Sequence, residues 1–115
     1  MLVISLGKIA VPTPGTPVRV TTDCKLRVSR IRFAPLIGEV GRMFLGVAGM
    51  NKSTGAGVIK EFWPTGAGGG IADGFEVGGD QRDLVDDRHL LAPADYYIDA
   101  NTAGEGLLVC CWVRQ

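Results

Sequence analysis

Histidine is nearly missing from this chain. His89 stands alone, with no serine or cysteine in a recognisable elbow to partner it, so triad chemistry has no material. Cysteine is scarce and odd in number. Cys24, Cys110 and Cys111 make no CxxC pair, which argues against a disulfide framework and against a zinc site, and points to a reducing site of synthesis. Long apolar runs are absent as well. Residues 1–6 are too few for a signal-peptide core or a membrane span, so export and a membrane partner are not expected. Neither sign of charge is in excess, because twelve basic residues balance twelve acidic ones. With a pI near 6.5 there is no basic field to draw nucleic acid.

What the chain has instead is glycine. Seventeen glycines cut 115 residues into short apolar runs, the pattern of an all-β sandwich or barrel. All six prolines (Pro12, Pro14, Pro17, Pro35, Pro64, Pro93) fall at the edges of those runs. The expectation is one all-β domain over residues 1–115, an antiparallel β-sandwich or jelly roll. Residues 1–16 form a strand plus an extended N-terminal arm, and 17–115 form the sandwich core. At 46% apolar residues the chain is rich for its size, so some apolar surface is expected to lie against a partner.

Period-2 alternation places the strands. Residues 2–6 read as a strand and 8–16 as the turn-rich arm. Residues 17–21 alternate Val18 and Val20 with Arg19 and Thr21, and 22–23 turn. Residues 24–34 are the clearest strand: Cys24, Leu26 and Val28 share one face, then the phase flips so that Ile31 and Phe33 become the apolar pair, which implies a bulge or bend. Residues 42–48 are apolar on both sides and read as a central strand; 49–57 form a polar turn. Residues 58–63 alternate again, 65–70 form a glycine loop, and 71–77 make a short strand. A helical turn and a strand over 88–91 compete in residues 80–92. Residues 96–99 form a strand, 101–106 a hairpin-like turn, and 107–113 the closing strand.

That last strand is apolar on both faces. Leu107, Val109, Cys111 and Val113 line one side, and Leu108, Cys110 and Trp112 the other. A half-exposed antiparallel strand should alternate with polar residues, so both faces are expected to be dry, the second covered by a loop, the arm or another subunit. Charge is also segregated. Residues 1–42 carry seven basic side chains against Asp23 and Glu39, whereas 73–105 carry nine acidic ones against Arg82 and Arg88. Pairing within one sheet, or attraction between copies, would use that segregation.

Sites for chemistry are hard to assemble. The stretch Gly66, Ala67, Gly68, Gly69, Gly70 has no phosphate-binding register. Asp83, Asp86, Asp87 and His89 lack the glycine and glutamate of a calcium loop. Glu61, Asp95, Asp99 and Glu105 could supply paired carboxylates, with His89 as a partner in a small hydrolase, but nothing in their spacing groups them. No catalytic residue, cofactor or metal is expected. Trp63, Tyr96, Tyr97 and Trp112 could stack on sugars, although such residues more often anchor cores and interfaces.

Gly15, Thr16, Pro17 and Val18, then Ile31, Arg32, Phe33 and Ala34, then residues 41–46 (Gly-Arg-Met-Phe-Leu-Gly) together resemble small structural proteins of tailed bacteriophage virions. Residues 94–100 with 104–109 are similar to the closing hairpin of those proteins, and Met43, Phe44 and Leu45 depart from their polar-aromatic alternation. The resemblance implies a β-sandwich or jelly-roll capsid decoration or cement protein on the capsid surface, made in the bacterial cytoplasm. Its partners would be itself, as a homo-oligomer with a trimer in first place, and the major capsid protein. It implies no active site. Ile9, Val11, Pro12, Pro14, Trp63, Leu108 and Trp112 are the expected partner-interface residues. The competing reading is a carbohydrate- or receptor-binding module of a tail or fibre, with Trp63 or the two tyrosines as the platform for a glycan.

Overall fold

In Arg30–Pro35, Ile31 and Phe33 are wholly buried while Arg32 is exposed. That alternation repeats through a computed structural model that describes residues 2–35, 39–63, 74–78 and 90–113. Among them are β1 (Leu2–Ala10), β2 (Val18–Arg19), β3 (Arg30–Pro35), β4 (Met43–Asn51), β5 (Ala56–Phe62), β6 (Phe75–Gly78), β7 (Tyr96–Ala100) and β8 (Gly106–Val113), with one 3-10 turn at Pro93–Asp95.

The strands form two four-stranded sheets, ordered β1-β8-β3-β6 and β2-β7-β4-β5, and every ladder between them is antiparallel. Successive strands lie in opposite sheets at most steps, and β4–β5 is the hairpin that stays within one sheet. Eight strands wound in this order are a jelly roll. The core lies between the sheets. Ile31, Phe33, Leu107, Val109 and Cys111 come from one side, and Met43, Leu45, Phe62, Ile98 and Ala100 from the other. Burying one large apolar side chain of this kind is worth about 1.5–3 kcal/mol.

The all-β sandwich agrees with the reading of the sequence, and so does the central position of β4 between β7 and β5. Several boundaries do not. The first strand runs to Ala10 rather than ending at residue 6, because residues 7–10 pair with β8 as far as Ala10↔Gly106. The register shift between Ser5 and Gly7 sits where Gly7 takes φ 76°, a conformation that costs glycine little. The extended segment is thereby shortened to residues 11–17, and its first residue, Val11, is fully buried.

Residues 24–29 are not part of a strand. Asp23 Oδ1 accepts from the Lys25 amide, and the Arg27 guanidinium donates to the Cys24 and Leu26 carbonyls. These local bonds compete with a ladder. The phase flip therefore marks a strand's beginning: Val28 bridges Leu91, Ser29 donates its amide and hydroxyl to the Trp112 carbonyl, and β3 starts at the next residue. Residues 101–105 turn as expected, but they carry the chain from one sheet to the other, since β7 and β8 belong to different sheets. The glycine loop at 65–70 and most of the ambiguous 80–92 segment lie outside the described residues.

Candidate functional site

The sandwich turns its inner faces to its own core, so any surface that works on a partner belongs to the outer faces and the loops. On β8 the inward residues Leu107, Val109 and Cys111 have no exposure, while Leu108, Cys110 and Trp112 on the outward side are half-buried. The inner face is therefore dry, and the outer one is only partly covered by this chain itself. Burial pushes the Cys111 thiol from 9.0 up to about 11, with neighbouring Cys110 adding to the effect.

The ladders give the outer face of this sheet its order. Val3, Trp112 and Arg30 stand in one row, and Ser5, Cys110, Arg32 and Glu76 in the next. Lys8, Leu108 and Ala34 make a third. The Arg30 guanidinium lies over the Trp112 ring, 4.2 Å from its centroid. Glu76 holds both Arg30 and Arg32 at 3.5 Å. Val3, at 54% exposure, extends the apolar row to the sheet edge.

The other sheet repeats this grouping. Trp63 follows Phe62, whose side chain points inward, and so stands on the outside, 61% exposed. The Arg42 guanidinium lies 4.1 Å from its ring centroid and donates to Glu61 Oε1 at 2.7 Å. The two tryptophans are the only ones in the chain. Each sheet thus displays one tryptophan on its outer face, with an arginine stacked on the ring and a glutamate on the arginine. A single exposed stack of this kind is worth about 0.5–1 kcal/mol, too little to explain it as a stabilising device. Its effect is to fix the shape and charge of an aromatic surface in advance, which lowers the ordering cost of a contact made there.

Part of the second outer face is closed by the chain itself. Phe44 points outward yet is only 7% exposed. The tip of the β4–β5 hairpin curls over it: Met50 occupies the space beside Gly46, and Lys52 donates to the Ala100 carbonyl at 2.6 Å. The Lys52 ammonium is also 4.0 Å from the Asp99 carboxylate and 6.0 Å from the Phe44 ring centroid. Asp99, 1% exposed, accepts from the Gly15 amide at 3.0 Å and the Ala100 amide at 2.8 Å.

The expected interface residues are thus divided. Trp63, Trp112 and Leu108 lie on outer faces, and Pro12 and Pro14 are exposed. Val11 belongs to the core, and Ile9, partly buried, packs against it, so both side chains serve the chain's own interior. The four candidate acids are held separately. Glu61 pairs with Arg42, Asp99 fastens the arm, and Glu105 accepts from the Val40 and Gly41 amides. Asp95 is exposed, and its charge joins burial in raising the Tyr96 hydroxyl above its usual 10.0. His89 lies outside the described residues, which contain no pocket and no cluster of three metal-ligating side chains. Sequence reasoning missed Arg30 and Arg42, because the Arg30–Trp112 pair spans most of the chain and nothing local marks it. The chain matches no protein-family model, no curated protein and no solved structure.

Proposed function

We propose that this chain is an assembly subunit of a virion, a capsid decoration or cement protein that works by contact with copies of itself and with the major capsid protein. The observation that carries the reading is the placement of both tryptophans on outer faces, one per sheet, each under an arginine. Tryptophan and arginine are the residues most often found at the energetic centres of protein interfaces. Two such centres on opposite sides suit a subunit with neighbours on both. The jelly-roll order adds support by analogy of fold, since viral capsid domains use it.

Mechanistically, each contact removes apolar surface from water at about 25 cal/mol per Å². Many weak contacts in a lattice reinforce one another through effective concentration. Co-sedimentation with purified capsids tests the role: a chain that saturates particles supports it, and one that never leaves the supernatant overturns it.

A second reading rests on Trp63. A ring 61% exposed, flanked by Arg42 and Glu61, is also a platform on which a sugar could stack. Glycans that quench tryptophan fluorescence in the native chain but not in Trp63→Ala would favour it.

A further inference from the structure

We infer that the outer face of the β1-β8-β3-β6 sheet is the self-association surface, and that its occupant is the same face of a second copy, related by a twofold axis running along the strands. The inference rests on the assembly role proposed above and names the partner for one of the two faces. Its strands have nine, eight, six and four residues, which at about 3.3 Å each and about 4.8 Å between strands cover roughly 430 Å². Two such faces in contact bury roughly 900 Å², close to the threshold of about 1,000 Å² for a specific interface.

The pattern of residues on the face selects the arrangement. Read across the strands, it runs from Val3 and Ser5, through the apolar ridge of β8, to Arg30 and Arg32, and then to Glu76. A twofold axis across the strands would lay each column on itself. The two arginines would meet the arginines of the second copy, and Glu76 would meet Glu76. Like charges opposed in this way are unfavourable.

An axis along the strands exchanges the columns and keeps the rows. β8 then lies over β3 of the second copy, and β1 over its β6. Trp112 meets the second copy's Arg30, the Ser5 hydroxyl meets its Glu76 carboxylate, and Leu108 meets its Ala34. Every one of these contacts occurs twice, as an isologous interface requires. The Arg30 guanidinium, already flat on one tryptophan, gains a second one above it. Because the face is made of strands, aligned sheet packing at about −30° accommodates the contact.

Cysteine trapping tests the geometry. In a Cys24→Ser, Cys110→Ser background, the Ser5→Cys and Glu76→Cys chains are each oxidised alone and then as a mixture. The mixture should give a covalent dimer and neither chain alone should. Dimers from Ser5→Cys by itself would overturn the axis, as would a mixture that fails to link. Light scattering of the unmodified chain should give a dimer, with association roughly a thousand-fold weaker in Trp112→Ala, because both copies lose a hot spot of about 2 kcal/mol. A monomer at high concentration, or a ring of three, overturns the pairing. Capsid co-sedimentation separates the two proposals. Monomers that still coat particles defeat the pairing and keep the virion role, whereas dimers that ignore particles do the reverse.

Discussion

Asp99 shows how much one carboxylate can hold. It is buried beneath the arm and the hairpin tip, and it accepts two backbone N–H groups while facing the Lys52 ammonium. Removing an acceptor from buried donors costs about 1–3 kcal/mol per group. Asp99→Ala should therefore lose about 3 kcal/mol in urea unfolding, and Asp99→Asn, which keeps one oxygen, distinctly less. Cys111 makes a second prediction, with its sign set by burial. Its thiol ionises near 9.0 when unfolded and near 11 when folded. Unfolding then releases a proton only between those values, so stability is at its full value below pH 9 and falls as pH rises towards 11. The raised Tyr96 hydroxyl acts in the same direction above its usual 10.0. Thermal melts at pH 8 and pH 10.5 check this, and Cys111→Val should flatten the dependence. At this scale the core was legible, because Ile31 and Phe33 alternate with arginines. Asp99 was not. In sequence it was one of twelve acids, and what distinguishes it is a glycine amide from the far end of the chain.

The β4–β5 hairpin owes its closed form to a long side chain rather than to its turn. Gly46 leaves no room for a Cβ, which would come within 2.5 Å of the Gly57 carbonyl oxygen and 2.9 Å of Met50 Sδ. The tip can therefore lie flat and deliver Lys52 to the Ala100 carbonyl. Lys52→Ala should lower global stability by only about 1–2 kcal/mol, the worth of a charge-assisted hydrogen bond and its neighbours. It should also speed amide hydrogen exchange selectively at residues 49–57 and expose Phe44. Uniform acceleration across both sheets would contradict the latch. Strands whose apolar run continues into a ladder were readable, β4 and β8 above all. Residues 24–29 were not, because alternation reports which side chains avoid water, and a loop pinned by Asp23, Arg27 and Val28 can satisfy the same pattern without a neighbouring strand.

For the molecule as a whole, glycine spacing and short apolar runs were enough to indicate a sandwich. Its winding was hidden, since the sheet that each strand joins depends on partners up to a chain length away. The outermost pairing is the extreme case: Leu2 lies opposite Val113, and β1 follows β8 along its whole length. A short peptide joining residue 2 to residue 113 would bridge strands already about 5 Å apart, and the exposed turn at residues 53–55 could serve as the new opening. Such a circular permutant should fold to the same far-ultraviolet circular dichroism spectrum and give up no more than a few kcal/mol. Residues 2 and 113 thus behave less like two separate points than like the two lips of one seam, closed by the β1–β8 ladder.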